Sequence, residues 1–391
     1  MPTRGISRRR FLGLGVAACA YLAVDAYFEG PLTTLVRTAA SGPRKSTLPS
    51  EVSIGIVYPL SGRLEQWGGE GLPFVKIAED DINDLPEAAA AGVHFNTVVR
   101  SSNTTGEGAL AAVTDLVKNE RIQVIAGLPT SGELGGTIEY LAGNHVATIS
   151  SASTSPAPNL LQRDTVFRLM PSELYMAKRL AELSMHLGYR RAAIIHRSPD
   201  EWGDAYAAEV AARFRSAGYP TASVPFKPTH PAVIDYSSEV KQLSNLVNEL
   251  GADEKTVVVV VAWEGEDLNI FHHAAEDPTL SSVRWLSAVL YPSLLTGNFE
   301  ASGINLPDAR DFAQSHRIWG QENHPPSSAL LRRIWAQAKA NLGVAPRFEH
   351  VYLYDSIQIA ARALLLAGTQ EGQSVAAEIP VVTNGYDSAT G

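Results

Sequence analysis

Cysteine and charge are scarce in this 391-residue chain. Its one cysteine, Cys19, excludes a disulfide framework and a zinc site built from cysteines. Charged residues make up 19% of the chain and hydrophobic residues 45%, which is the composition of a folded globular protein. Only residues 11–28 form an apolar run that approaches the length of a membrane span, so a multi-span protein is excluded. The length predicts two or three domains.

Positive charge is also scarce after residue 50. Residues 1–50 contain seven basic and two acidic side chains, and the remainder contains 25 basic and 39 acidic ones. The body of the protein therefore has a formal net charge of −14. Because such a body repels phosphate backbones and anionic lipid, the sequence predicts no nucleic-acid partner.

Motifs for catalysis are missing too. The chain has no Gly-x-Ser-x-Gly elbow and no Walker-type phosphate loop. His272 and His273 are adjacent, so on a helix they point about 100° apart and cannot share one metal ion. His196 precedes Asp200 and Glu201, but no nucleophile accompanies it, which favours a surface-loop histidine. The sequence predicts a protein that is not an enzyme and has no cofactor or metal site.

The N-terminus has the pattern of an export signal. Ser7-Arg8-Arg9-Arg10-Phe11-Leu12 leads into the apolar run, and paired arginines followed by Phe-Leu are typical of twin-arginine (Tat) export. A basic cluster before an ordinary anchor is the alternative. Val16-Ala17-Ala18-Cys19 resembles a lipobox, so lipidation of Cys19 and an uncleaved anchor both remain open. We expect a Tat signal or membrane anchor over residues 1–30, a flexible linker over 31–51, and tethering outside the cytoplasmic membrane.

From residue 52 onward, strand and helix patterns alternate with short connections. Val52–Val57 predicts a buried strand, and residues 73–84 have the 3.6-residue period of an amphipathic helix. Such alternation is typical of right-handed βαβ units, in which helices cover both faces of a parallel sheet. The other predicted strands are 93–100, 122–126, 146–149, 192–195, 221–226 and 256–261, and the other helices are 108–119, 132–143, 173–187, 204–217, 236–250, 327–342 and 351–366.

The number of strands favours two lobes over one sheet. Five consecutive valines, Val257–Val261, predict a central parallel strand that is buried on both faces. One doubly wound sheet containing all these strands would be unusually wide. The predicted fold class is therefore α/β, with two doubly wound parallel-sheet lobes.

Several segments then carry a family resemblance. In order and spacing the chain resembles type I periplasmic solute-binding proteins of the branched-chain amino-acid (leucine/isoleucine/valine) class. The matching segments are Ile54–Gly62, Glu65–Gly68, Ala126–Gly132, Ile149–Pro156, Val166–Ser172 and Tyr354-Asp355.

The resemblance implies two lobes joined by a three-crossing hinge. The first crossing is expected near Arg168–Ser172 and the second near Ile318–Gln321. Lobe one would comprise residues 52–169 plus 322–368, and lobe two residues 172–318 plus 375–391. Relatives usually continue beyond the point where this chain ends, which leaves the third crossing uncertain.

The resemblance also implies a binding site between the lobes. Residues matching Ser131, Ala152, Ser153 and Thr154 hold the ligand's carboxylate and ammonium in the family, although hydroxyls at such positions can also be helix caps. Trp67 matches an aromatic residue that packs on the ligand, Trp202 stands where tyrosine is common, and Trp263 lies in a third contact region. Trp67 and Trp202 are expected in Gly-flanked loops at strand ends, where clefts form.

One family feature is missing. Amino-acid-binding relatives place an acid in the segment matching Leu286–Pro292, and this chain has none there. Glu264 or Glu266 could replace it, although a solvated surface carboxylate is the alternative for each. Three tryptophans favour an apolar, aromatic or quaternary-ammonium ligand through cation–π contact. The ligand classes that remain open are amino acids, amides, aromatic acids and betaines.

The function implied is that of an extracytoplasmic substrate-binding protein of an ABC importer. It would capture an amino acid or a related small amphipathic molecule by hinged closure of its lobes and deliver it to the permease subunits. The expected partners are the ligand, the ABC permease subunits and the Tat export machinery. The alternative is a ligand sensor of the same fold that signals to another protein.

Overall fold

A computed structural model describes residues 46–155, 164–228, 235–291, 293–299, 303–320 and 328–390. The predicted signal or anchor, Cys19 and most of the linker lie outside these residues. Within the described ranges, no helix combines the length and the apolar character needed to cross a membrane.

The first lobe is built on a five-stranded parallel sheet. Its strands are β1 (Glu51–Tyr58), β2 (His94–Ser101), β3 (Val124–Gly127), β4 (Ala147–Ser150) and β5 (Val166–Arg168), in the order β2-β1-β3-β4-β5. The helices that precede the first crossing are α1 (Glu65–Asn83), α2 (Pro86–Ala91), α3 (Gly106–Lys118) and α4 (Ser131–Gly143).

The second lobe repeats this design. Its parallel strands are β6 (Arg191–Arg197), β7 (Thr221–Phe226), β8 (Thr256–Val261), β9 (Arg284–Ser287) and, beyond a small hairpin of β10 (Asn298–Phe299) and β11 (Ile304–Asn305), β12 (Trp319–Gly320). The order is β12-β9-β8-β6-β7. Its helices are α5 (Leu174–His186), α6 (Glu201–Ser216), α7 (Ser237–Leu250), α8 (Glu266–Ala275), α9 (Pro278–Ser282), α10 (Ser293–Thr296) and α11 (Pro307–Ser315).

The valine strand shows why both sheets are covered on two sides. Side chains alternate across a strand, so consecutive valines must face opposite layers. Val257, Val259 and Val261 pack in the layer with α5 and α6, whereas Val258 and Val260 pack in the layer with α7 and α8. The predicted burial of this strand on both faces is confirmed. Two parallel five-stranded sheets, each between helical layers, confirm the predicted fold class.

Both sheets have the same winding. In each sheet, the first strand of the lobe (β1 or β6) lies between the second (β2 or β7) and the third (β3 or β8). The connection after the first strand therefore runs toward one edge of the sheet, and the connection after the third strand runs toward the other edge. Ligands of doubly wound sheets bind at this switch point, beyond the carboxyl ends of the strands. The two switch points follow β1 and β3 in one lobe, and β6 and β8 in the other.

The chain passes between the lobes in two places. Residues 169–173 connect β5 to α5, which packs in the second lobe. Strand β12 belongs to the second lobe, and the next described helices, α12 (Ala329–Leu342) and α13 (Glu349–Ala367), pack on the first lobe. The part of the chain that the structure describes contains no third crossing.

The C-terminal segment corrects the predicted lobe boundaries, which assigned residues 375–391 to lobe two. Helix α14 (Gly372–Thr383) packs on α13 and buries Val375 and Ile379 in the core of the first lobe. Asp355 of α13 then accepts hydrogen bonds from Tyr386 Oη, from the amide nitrogen of Ala389 and from the amide and hydroxyl of Thr390, at 2.7–3.0 Å. Buried apolar contacts and a shared carboxylate therefore hold residues 372–390 in lobe one.

Asp355→Ala should lower the free energy of unfolding by roughly 2–4 kcal/mol, because it leaves buried backbone donors without an acceptor. Urea denaturation followed by far-UV circular dichroism measures the change. The exposed Asp387→Ala in the same segment is the control and should stay within about 0.5 kcal/mol of wild type. Equal stability of the two variants would contradict this role of Asp355.

Candidate functional site

A cavity of about 680 Å³ lies between the lobes, where the two switch points face each other. Its volume is within the range of roughly 300–1,000 Å³ that is usual for small-molecule sites. Seven of the eight residues predicted from the sequence line it, and they come from both lobes. They are Trp67, Ser131, Ala152, Thr154, Trp202, Trp263 and Glu264.

The amino end of α4 presents hydroxyl and amide groups to this cavity. Thr130, not Ser131, caps the helix: its hydroxyl accepts from the amide of Glu133, whose carboxylate accepts from the amide of Thr130 in return. The Ser131 hydroxyl accepts hydrogen bonds from the amide of Ser155 and from the hydroxyl of Ser153. Its own proton is therefore left to donate, and Ser131 lines the cavity.

Ser153 has a different place from the one predicted. It is buried and its hydroxyl lies 3.2 Å from that of Ser131, and it is not among the described residues that line the cavity. It therefore orients Ser131 and does not face the cavity. Ala152 and Thr154, one residue to either side, do face it, as expected from a loop whose successive residues point in opposite directions.

Trp67 and Trp202 lie in helices and not in the predicted loops. Trp67 is in the first turn of α1, and its ring stacks on Tyr58 at 5.2 Å between centroids. Trp202 is in the first turn of α6, is 6% exposed and also packs on Tyr206. Helical Gly68 and Gly203 follow them because a Cβ at either would collide with backbone carbonyls. Because glycine is unfavourable inside helices, Gly68 and Gly203 made the first turns of α1 and α6 look like loops in the sequence.

Trp263 is already in contact with cations. The guanidinium of Arg197 lies 3.6 Å from the centre of its ring, and that of Arg63 lies 5.3 Å from it. Cation–π contact of this kind stabilises the ring by about 0.5–2 kcal/mol. Trp263 thus lines the cavity as part of a layer of arginine and indole, with part of its aromatic surface occupied.

Glu264 and Glu266 are not solvated surface carboxylates. Glu266 is fully buried and accepts hydrogen bonds from Arg63 of lobe one and from Arg197 of lobe two. Glu264 pairs with Arg347 of lobe one at 2.8 Å, and Arg347 also lies 3.3 Å from Glu70. Both acids therefore connect the lobes, and Glu264 meets the ligand space with its charge already paired.

Glu173 is an acidic residue of the cavity that the sequence did not predict as part of the site. It lies at the end of the first crossing, directly before α5, and is 7% exposed. Trp202 Nε1 donates to its carboxyl group, and the Thr154 hydroxyl hydrogen-bonds the same group. Burial raises the pKa of Glu173 to about 8, although the Thr154 hydrogen bond acts in the opposite direction.

Other lining residues that the sequence did not predict include Glu70, Arg347 and Tyr291. Arg347 precedes α13 in a segment without a distinctive motif, so nothing in the sequence marked it. Glu173 had a usable signal, because it directly follows Val166–Ser172, a segment that carries the family resemblance and contains the crossing.

The structure gives no support to the acid–base interpretation of His196. Its ring is buried, Nδ1 contacts the carbonyl of Arg197 at 3.1 Å, and burial lowers its pKa. It therefore differs from the predicted surface-loop histidine as well. Among the described residues, no group of three or more histidine, cysteine or acidic side chains could hold a metal ion.

Comparisons with known proteins agree with this arrangement. The profile of periplasmic binding proteins matches residues 51–391. An uncharacterized protein of Methanocaldococcus jannaschii, MJ1266, is 24% identical over 233 residues, which are 58% of this chain and 53% of that protein. The chain thus spans about half the length of this curated relative.

Solved structures share the fold. A leucine-binding protein LivK from Thermotoga maritima has a TM-score of 0.68 at 16% identity, over 87% of this chain and 90% of that one. LivJ of Streptococcus pneumoniae, in complex with isoleucine, has a TM-score of 0.64 at 16% identity, over 87% and 90%. A solute-binding protein from Rhodopseudomonas palustris with 3,4-dihydroxybenzoic acid has 0.61 at 16%, over 84% of each.

The buried acid generates a prediction on stability. The pKa of Glu173 is higher in the folded protein than the ordinary value of 4.5, so the folded state binds more protons between the two values. Its contribution to stability therefore falls as pH rises from about 4.5 to about 8, by at most roughly 1.4 kcal/mol per pH unit. Glu173→Gln should remove this fall.

Urea denaturation at pH 5, 6, 7 and 8 tests the point. The stability gained by Glu173→Gln over wild type should grow with each step. The exposed Glu249→Gln supplies the matched control and should give a constant difference. A Glu173→Gln difference that does not change with pH would show that the carboxyl group is not held neutral by burial.

Proposed function

The chain belongs to the periplasmic binding protein family, and we propose that it is the substrate-binding component of an ABC importer. Members of this family bind solutes outside the cytoplasmic membrane, so membership implies an extracytoplasmic location and a binding role, not an enzymatic one. The proposed ligand is an amino acid or a related small amphipathic molecule, held between the two lobes and delivered to permease subunits.

The observation that carries the proposal is the cavity between the switch points. Both lobes contribute side chains to it, so a ligand in it would contact both and favour their approach. The lobes also meet directly around it: the Ser155 hydroxyl donates to the carbonyl of Glu201, and a Cβ on Gly135 would lie 3.1 Å from the Glu201 carboxylate. Lobe closure over a ligand is the motion that this arrangement supports.

The cavity also supports an amphipathic ligand. Ser131, Thr154 and the first amides of α4 form a polar end, where the helix dipole favours an acceptor group such as a carboxylate. Trp67, Trp202, Met170 and Phe299 offer apolar surface. Relatives with this fold have been solved with isoleucine and with 3,4-dihydroxybenzoic acid, each of which joins a carboxylate to an aliphatic or aromatic body.

We further propose that Tat delivers the protein and that it stays tethered, either through lipidated Cys19 or through an uncleaved anchor within residues 1–30. The support is the arginine pair before the apolar run, Arg8-Arg9, and the lipobox-like Val16–Cys19. A tethered binding protein would remain close to the permease in the same membrane.

The binding role predicts that a screen of amino acids, amides, aromatic acids and betaines will raise the melting temperature of the full-length protein. A ligand at a hundredfold excess over its Kd stabilises the folded protein by about 2.7 kcal/mol, which thermal-shift assays resolve.

Calorimetry with a ligand from this screen then measures Kd for the wild type and for two variants, Ser131→Ala and Thr154→Ala. Each variant should bind the ligand about tenfold more weakly, because each loses one hydrogen bond. Ser216→Ala, on the far end of α6, is the matched hydroxyl control. If both variants bind the ligand as tightly as the wild type, the cavity is not the ligand-binding site.

The export proposal predicts that replacing Arg8, Arg9 and Arg10 by lysine will retain the protein in the cytoplasm. Because lysine preserves the positive charge, an ordinary basic anchor would still insert into the membrane. A twin-arginine receptor, in contrast, would no longer recognise the arginine pair. Fractionation of cells that express the wild type and the lysine variant measures the distribution. Unchanged export of the lysine variant would favour the ordinary anchor.

A further inference from the structure

A cluster of four charged side chains is completed only where the two lobes meet. In lobe two, Arg197 donates to Glu266 at 2.6 Å and lies 3.2 Å from Asp200. Two carboxylates there share one guanidinium group, so this part of the cluster has a formal charge of −1. Arg63 of lobe one donates to the same oxygen of Glu266 and makes the cluster neutral. Lobe one therefore supplies the positive charge that lobe two lacks at this point.

The acceptor for Arg63 is already formed within lobe two. Glu266 is fully buried, and its second carboxylate oxygen accepts a hydrogen bond from the amide of Trp263 at 2.8 Å. Arg197 and Trp263 thus hold the carboxylate in place by contacts that do not involve lobe one. The side chain of Arg63 is only 8% exposed in the ion pair. Because the pair is buried, dissolved salt screens it only weakly.

Further contacts join the same parts of the two lobes. The guanidinium group of Arg63 lies 5.3 Å from the centre of the Trp263 ring and 3.4 Å from the carbonyl oxygen of Glu264. Arg347 of lobe one adds a second ion pair, with the Glu264 carboxylate at 2.8 Å. All of these contacts form between groups of the protein, so they favour closed lobes without any contribution from a ligand.

The side chains of Arg63 and Trp263 also separate the cavity from a second chamber. This chamber has a volume of about 280 Å³ and lies between Asn103 and Thr105 of lobe one and Asp200 of lobe two. Arg63 and Trp263 line both spaces. Asn103 and Thr105 are exposed, so the chamber borders solvent. A molecule that entered the cavity from this side would have to pass Arg63 and Trp263.

We propose that Arg63 is a latch that holds the two lobes closed before a ligand binds. This inference goes beyond the proposed function, in which a ligand favours the approach of the lobes. Here the protein's own charges close the cavity, and entry of a ligand requires Arg63 to leave Glu266. Separation of the lobes leaves the cluster of lobe two with its charge of −1, which makes the open form the minor one.

The distance between the lobes measures the latch directly. Lys118 of α3 and Lys241 of α7 are exposed, and their helices follow the edge strands β2 and β7. These edges lie opposite β5 and β12, next to which the chain passes between the lobes, so opening should move the two helices apart. Lys118→Cys and Lys241→Cys are introduced into full-length protein that carries Cys19→Ser, and both are spin-labelled. Pulsed electron paramagnetic resonance then gives the distribution of distances between the labels.

Each sample is dialysed in urea and refolded before the measurement, which removes any small molecule that was purified with the protein. The refolded wild type should show mainly the distance expected for closed lobes. Arg63→Gln should raise the ratio of open to closed molecules at least about tenfold, because it removes a charged hydrogen bond between the lobes. Arg347→Gln should raise this ratio less, since its ion pair is more exposed. Arg333→Gln is the matched control, because it breaks an ion pair with Asp81 inside lobe one, and it should leave the distribution unchanged.

Two results would overturn the latch. Mostly long distances in the refolded wild type would show that the lobes stay apart until a ligand joins them, and this result does not depend on the folding of any variant. Equal distributions for the wild type and Arg63→Gln would show that Arg63 does not hold the lobes together. In both cases the proposed binding function stands. Failure of the ligand screen, in contrast, would remove the proposed function and leave the latch in place.

Discussion

The buried carboxylate of Glu266 is the interaction on which the geometry between the lobes depends. It has no exposed surface and is shared by Arg63 of lobe one and Arg197 of lobe two. Removing one partner of such a cluster would leave a buried charge uncompensated, which costs about 3–5 kcal/mol. Arg63 lies two residues before the helix that carries Trp67, and Arg197 precedes the helix that carries Trp202. The cluster therefore fixes the two aromatic walls of the cavity relative to each other.

A second ion pair between the lobes, Arg347 with Glu264, lies two residues along the chain from Glu266. Because the arginines bind protein carboxylates, positive charge near the cavity serves the contact between lobes and is not left for the ligand. In the proposed binding role, selectivity would come from the remaining lining groups: hydroxyls at the amino end of α4, aromatic surface, and the buried Glu173. A cavity of this kind joins a polar end, an apolar body and an acid within about 680 Å³.

Much of the fold could be predicted from periodicity. Val257–Val261 were correctly assigned to a central strand because only a two-sided environment accepts an unbroken apolar run. The start of α1 was missed by eight residues, since Gly68, Gly69, Gly71 and Pro73 resemble a loop. Gly68 and Gly71 are required there because a Cβ would meet the carbonyl of Pro59 or the ring of Tyr58. Such contacts come from distant packing, which local propensity does not record.

The sequence by itself determined the strand and helix alternation, the two-lobed class and the family motifs that line the cavity, because each depends on local hydrophobic period or on short segments next to strand ends. Only the tertiary structure decided the pairing of charges. Arg63 with Glu266, and Arg347 with Glu264, are separated by 203 and 83 residues along the chain. The side of the hinge to which residues 372–390 belong was likewise decided by long-range burial around Asp355. The contact of Trp202 with the buried Glu173, 29 residues away along the chain, was likewise decided by the tertiary structure.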